Sequence, residues 1–540
     1  VYFEKTKMRQ NVKRLVRSCL NQYQTRQCSS KVQRDSPFPT SDIKLNSDLC
    51  LKTSLSEPVV GLPPAIFSTP DSSASESRIT TLSNGLRVAS EKQFGNFCTV
   101  GVVIDAGSRY EVAYPSGVSH FLEKLAFSSS KSYGDREKIL HSLEKHGGIC
   151  DCQSTKDTFI YAASAESNGL NDVIRLIADV VLRPNITEEE VEFARQVVSY
   201  ELENLNIQPN QDPILLELIH AAAWRDNTLG LPKLCPPENI DKINRHTLFT
   251  FLRSHFTPER IVLAGVGVEH EALVEAAQKY FVEEKPIWEE NQSLGSRLEV
   301  DPSIAQYTGG LITQEKDLSD VSLGPTPMPE LAHFVLGLES SSHRDDDFIA
   351  YCVLNMLMGG GGSFSAGGPG KGMYTRLYTQ VLNRYHWMHN ATAYNHAYGD
   401  SGVFCIHGAS HPSQIADVAS VITSQFVGMS RNLDVVDFER AKKQLQSMLL
   451  MNLEARPVVF EDLGRQVLFT GIRKRPEEFI QKIGAITKED IYRVAKRLLA
   501  SKPAIAALGN LKNLPEHRAI EEALLSKDGK ISRRSRFTLF

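Results

Sequence analysis

The sequence predicts an α+β protein built from two homologous halves, each a mainly antiparallel sheet with helices packed on one face. Three observations carry this. Two blocks of about 200 residues, 78–282 and 303–512, repeat the same order of strand and helix patterns. Short apolar runs of strand length recur in pairs with long amphipathic periods between them, the pattern of a sheet layered against helices. With 41% apolar and 23% charged residues, the 540-residue chain is an ordinary globular composition that can bury large cores.

The elements answer one another in order. The first block opens with a strand at 84–88 leading to Glu91-Lys92, then a second at 100–104 ending in DAGSRYE. The second block opens at Gly309-Gly310-Leu311, leading to Glu315-Lys316, then a strand at 334–338 ending in ESSSHRD. Both continue into a helix. The strand 159–162 answers 403–406, each behind an aspartate, Asp157 and Asp400. The helix 191–205 answers 436–450, with Phe193 set opposite Phe438. Each block closes with an amphipathic helix, 243–256 or 486–499, followed by a strand, 261–265 or 505–509. The concavity between two such halves is the natural place for a ligand.

The flanks differ in composition. Residues 1–34 hold nine Lys/Arg and one acid, which leaves 51 basic against 63 acidic residues in 35–540, a net −12. From Met8 to Arg34 there is no acid, and Val12, Leu15, Val16, Cys19, Leu20 and Tyr23 fall at helical spacing. That predicts a mitochondrial transit peptide over 1–45, hence the matrix; a basic tail for RNA or lipid shares the composition. Residues 46–77 form a Ser/Pro-rich lead-in, 283–302 a charged linker without periodicity, and 513–540 a tail. The basic stretch 527–536 reads as a solvated end and not a nucleic-acid site, because the body around it is acidic. The strongest apolar run, 261–268, is far short of the ~20 residues of a membrane-spanning helix. Nine scattered cysteines without a Cys-x-x-Cys pair read as reduced thiols.

One helix carries a damaged metal motif. His120-Phe121-Leu122-Glu123-Lys124 would be His-x-x-Glu-His were residue 124 histidine. That spacing puts two imidazoles a turn apart on one face and a carboxylate beside them to polarise a metal-bound water. Glu201, in SYELENL, is placed to supply a third ligand from another helix. An ammonium at 124 offers no lone pair and repels a divalent cation, so His120 and Glu201 alone remain where catalytic zinc takes three protein ligands. From spacing alone, HFLEK is also readable as an ordinary helix with solvated polar residues.

The most unusual stretch is 359–372, in which eight of fourteen residues are glycine. It fails as a phosphate loop: Ser365 stands five before Gly370, and Gly372 follows Lys371 where Ser or Thr belongs. Glycine permits positive φ and close backbone approach, so the loop is either a spacer or an element that meets a ligand through its main chain. His386, His389, His396, His407 and His411 match no ligand spacing and read as surface or pocket-lining.

TTLSNGLRVAS, DAGSRYE, GVSHFLEKLAF and SYELENL together resemble the pitrilysin-type M16 metallopeptidase family over essentially all of 78–512. The resemblance implies two M16-type halves and places His120 on the first zinc ligand, Glu123 on the general base, Lys124 on the lost second ligand and Glu201 on the third. Ala194 replaces an acid usual seven residues before that third ligand. It implies a non-catalytic subunit with no catalytic residue and no metal of its own, and zinc in a catalytic partner. The implied work is removal of basic mitochondrial presequences, in the matrix or peripherally at the inner membrane. The alternatives are a structural core subunit of the respiratory cytochrome bc1 complex and an independently active M16 peptidase. The implied substrate-recognition segment is the glycine loop: Gly359, Gly360, Gly361, Gly362, Ser363, Phe364, Gly367, Gly368, Gly370, Lys371 and Gly372.

Overall fold

Two six-stranded sheets, each with its own set of helices, account for the repeat. The computed structural model describes residues 76–225, 228–319, 321, 329–362, 373–431 and 433–531. The expected transit peptide, nearly all of the lead-in, and residues 363–372 and 532–540 lie outside the described residues. Strands β1 (Ser77–Thr81), β2 (Arg87–Glu91), β3 (Phe97–Ile104), β4 (Ile149–Ser154), β5 (Phe159–Glu166) and β6 (Ile261–Val266) form the first sheet in the order β1-β2-β6-β3-β5-β4. Strands β7 (Gly310–Glu315), β8 (Ala332–Ser340), β9 (Gly360–Gly362), β10 (Met388–Ala397), β11 (Gly402–Ser410) and β12 (Ala504–Gly509) form the second, β7-β12-β8-β11-β10-β9. Among the described strands, only β2 with β6, and β7 with β12, run parallel. The shared five-strand order superimposes β2, β6, β3, β5 and β4 on β7, β12, β8, β11 and β10. That leaves β1 as an addition to the first sheet and β9 as an addition to the second.

The helices repeat in the same way. In the first half they are α1 (Val118–Leu125), α2 (Arg136–Glu144), α3 (Leu170–Leu182), α4 (Glu188–Ile207), α5 (Asp212–Ala223), α6 (Arg245–His255) and α7 (His270–Ala277). The second half has α8 (Phe348–Met358), α9 (Ile415–Met429), α10 (Val435–Asn452), α11 (Arg456–Thr470), α12 (Pro476–Ala485), α13 (Lys488–Leu499) and α14 (His517–Leu525). Each half buries one sheet face under its own helices. Val100, Val102 and Ile104 of β3 meet Phe121 of α1 and Phe251 of α6, and Phe334, Leu336 and Leu338 of β8 meet Leu354 of α8 and Val494 of α13.

The opposite face of each sheet is covered by one helix of the other half. Val459, Phe460, Leu463 and Val467 of α11 lie on Val103 of β3 and Val262, Ala264 and Val266 of β6. Reciprocally, Leu215, Ile219 and Ala222 of α5 lie on Val335, Val403, Ala504, Ala506 and Leu508. This explains why the closing strands read as unbroken apolar runs: β6 and β12 are buried on both faces. At ~1.5–3 kcal/mol per fully buried large side chain, the exchange ties the halves together strongly. Gly464 allows the close approach, since a Cβ there would sit 2.4 Å from Val103.

The expected pairing of Phe193 with Phe438 is off by two residues. The N-caps Thr187 and Asp434 align α4 with α10, so Phe438 answers Val191 and Ala441 answers Ala194, all four buried. Phe193 stands on the surface instead. Matching by residue type chose the wrong partner; the caps and the buried stripe set the true register.

Candidate functional site

The DAGSRYE turn positions the site before any site residue appears. Glu111 lies buried in a short 3-10 segment and accepts from the backbone N–H groups of Gly117 and Ser119, both at 2.6 Å, which fixes the start of α1. Burial pushes its carboxyl up to about 7, against those two donors. Arg109 reaches the other half, donating to both carboxylate oxygens of Asp400 at 2.9 and 2.6 Å.

Helix α1 then presents its motif to α4. His120, 1% exposed, accepts at Nδ1 from the Cys235 N–H at 3.2 Å, so its ring hydrogen is on Nε2 and is donated to Glu201 Oε2 at 3.1 Å. Lys124 Nζ lies 2.8 Å from the same Glu201 oxygen and 3.4 Å from Glu123 Oε1. Glu123 Oε2 takes the Ser154 N–H at 3.0 Å, the Ser154 hydroxyl at 2.6 Å and Lys233 Nζ at 3.3 Å. The sequence motif residues His120, Glu123, Lys124 and Glu201 are therefore all brought together. Ser154, Lys233 and Cys235 complete the cluster from the β4 end and from the loop after α5, and sequence reading missed them.

Electrostatics make this a closed ion cluster. The hydrogen bond from His120, then burial opposed by Lys124, sets Glu201 at about 2. Burial works against a charged Glu123, but Lys233, Ser154 and Lys124 outweigh it and hold the carboxyl below its ordinary value. Burial likewise disfavours charged Lys124, and Glu201 and Glu123 reverse that, raising it. A general base needs a pKa near the working pH, and Glu123 is held below its ordinary carboxylate value by the cations and donors around it.

The residues do not fit a zinc ion. The His120 nitrogen that would face the metal carries a hydrogen, and the Lys124 ammonium lies against Glu201 where a cation would bind. Among the described residues, no group of three or more His, Cys, Asp or Glu side chains is arranged to hold a metal. Ala194, at the position where the resemblance expects an acid, is buried in α4 and offers no ligand atom.

Beside the cluster, the two halves enclose a cavity of about 730 Å³ lined by Ser154, Lys233, His396, Tyr398 and Phe469 among others. Its charged lining, Lys156, Lys233, Arg465 and Lys474 with Asp157, Glu217 and Asp462, is mixed. The acidic excess of 35–540 is not concentrated there. His396 lines this cavity as expected, whereas His407 is buried against His333, with Nε2 3.1 Å from its Nδ1.

Of the glycine loop, Gly359 to Gly362 are described and the remaining expected residues, from Ser363 to Gly372, are not. Gly360–Gly362 is β9, added to the edge of the second sheet beside Asn390, Ala391 and Thr392. Gly360 has φ +104°, and a Cβ there would lie 1.9 Å from the Ala391 carbonyl oxygen, so this position requires glycine.

Residues 87–237 match the family model for insulinase, peptidase family M16, and residues 242–445 match that for the peptidase M16 inactive domain. A Pongo abelii protein named mitochondrial-processing peptidase subunit alpha is 55% identical over 480 residues, covering 89% of this chain and 91% of the relative. Proteins of that name from Caenorhabditis elegans and Solanum tuberosum are 44% and 32% identical, each over 84% of this chain and over 88% and 86% of the relative. On this evidence of fold, motif and similarity, the chain belongs to the M16 peptidase family.

Proposed function

We propose that the chain is the substrate-recognition, non-catalytic subunit of a heterodimeric mitochondrial processing peptidase, which removes presequences from imported precursors. Its partner is the catalytic beta subunit, which holds the zinc; this chain holds none. The names of its relatives support this reading over a respiratory-complex core subunit or an independent peptidase. The observation that carries the non-catalytic role is the Lys124 ammonium, 2.8 Å from Glu201, standing where the family places a metal ligand. The cluster keeps the architecture of a metal site, joining α1 to α4, while its charges satisfy one another.

The glycine loop 359–372 is the element assigned to the substrate. Its described end supports this: β9 carries main-chain donors and acceptors to a sheet edge with no side chains in the way. The assigned location is the mitochondrial matrix or the matrix face of the inner membrane. Among the described residues no helix is long and apolar enough to cross a membrane. The test is a presequence-cleavage assay with this chain alone, the catalytic subunit alone, and both. Cleavage only with both, lost on deleting 363–372 without loss of assembly, is the expected result. Efficient cleavage by the catalytic subunit alone, or by the loop-deleted pair, overturns it.

A further inference from the structure

Helix α4 turns one face inward, where Val191, Ala194 and Val198 are buried and Glu201 reaches the ion cluster. Its outer face is a ridge of three large side chains, Phe193, Tyr200 and Ile207, exposed at 64%, 69% and 70%. Residues seven apart drift only ~20° around a helix, so the three stand nearly in line. At 1.5 Å per residue the ridge is ~21 Å long. Exposed Glu189, Glu192 and Glu203 flank it, with Glu192 also holding Arg195. Scattered surface apolar residues need no explanation, but an aligned row of three does.

The internal repeat supplies a comparison. By the capping register that aligns α4 with α10, positions 193, 200 and 207 correspond to Arg440, Ser447 and Glu454. At these three positions the second half carries polar or charged residues, the last just past the end of α10, and the exposed apolar residues of α10, Val436 and Met451 among them, stand at other positions; the row of three belongs to α4. The ridge, with its carboxylates along one side, fits a helix with apolar residues at alternating three- and four-residue spacing and basic residues beside them. A segment of that chemistry occurs in this sequence: Val12, Val16, Cys19 and Tyr23 lie at spacings of four, three and four, among Arg9, Lys13, Arg14 and Arg17 with no acid.

We propose that the outer face of α4 is a docking ridge for the basic amphipathic helix of a presequence, separate from the glycine loop and the inter-half cavity. The inference rests on the presequence reading above and adds where on the chain the leader is held. The aromatic ridge supplies the buried contact, and the glutamates orient the leader and make its binding salt-dependent.

The probe is a fluorescein-labelled synthetic peptide of residues 9–26, followed by anisotropy on the complex of full-length chain and catalytic subunit. The triple variant Phe193→Ser, Tyr200→Ser, Ile207→Ser should assemble normally and bind the peptide at least tenfold more weakly. Glu189→Lys with Glu203→Lys should weaken binding and flatten its salt dependence, and a peptide with its apolar residues scrambled should bind poorly to the unaltered complex. Unchanged affinity in the triple variant, or equal binding of the scrambled peptide, refutes the ridge while leaving the presequence reading intact. Failure of the triple variant to pair with the catalytic subunit assigns the ridge to the subunit interface and also refutes it. An unaltered complex that neither binds nor cleaves presequences refutes the broader reading and the ridge with it.

Discussion

Replacing Lys124 with methionine keeps an unbranched side chain, one atom shorter, and removes the one charge shared by Glu123 and Glu201. The two carboxylate oxygens that Lys124 holds, at 3.4 and 2.8 Å, lie at most about 6 Å apart. Two like charges at 6 Å repel by ~0.7 kcal/mol in water and ~3 kcal/mol at an effective dielectric constant of 20. The three side chains are 22%, 17% and 34% exposed, so the solvent-screened penalty lies between, about 1–2 kcal/mol at pH 7. Spread over an unfolding entropy of ~2.1 cal/mol/K per residue for ~450 folded residues, that is a drop of ~1–2 °C in Tm. Glu201 at about 2 sits below its ordinary 4.5, so its stabilising contribution is full above 4.5 and is lost as pH falls from there toward 2. The Lys124→Met deficit should therefore shrink on acidification through that window, as protonated carboxyls no longer repel. Scanning calorimetry of both proteins at several pH values measures it. No deficit at pH 7, or a deficit that grows on acidification, would refute the reasoning.

Other perturbations test the frame around the cluster. Leu463→Ala, at a fully buried position of α11, should cost about 3–5 kcal/mol in urea unfolding, since Gly464 already brings that helix close to β3 and little collapse is possible. Arg109→Met leaves Asp400 without its bidentate partner between the halves and should destabilise by about 3 kcal/mol, with Arg109→Lys recovering only part of it. Gly360→Ala should unpair β9 through its contact with the Ala391 carbonyl, leaving circular dichroism nearly unchanged while presequence affinity falls.

The repeated elements were legible because they are written as local periodicity, and β6 and β12 announced their burial as unbroken apolar runs. What covers them was not legible. The apolar stripes of α5 and α11 state that these helices are buried, but nothing in their sequence says that each lies on the other half's sheet. The site was half legible for the same reason. His120, Glu123 and Lys124 are fixed by helical spacing and Glu201 by the family pattern, whereas Ser154, Lys233 and Cys235 arrive from loops whose direction depends on tertiary packing. The hydrogen on His120 Nε2, which decides what that ring can bind, follows from a single backbone donor more than a hundred residues away.

Zinc content decides the matter most directly. Purified alone, this chain should bind no stoichiometric zinc and cleave no presequence, and the assembled heterodimer should hold one zinc, supplied by its partner. A tightly held zinc in the isolated chain, with cleavage that needs no partner, would show that Lys124 does not close the site.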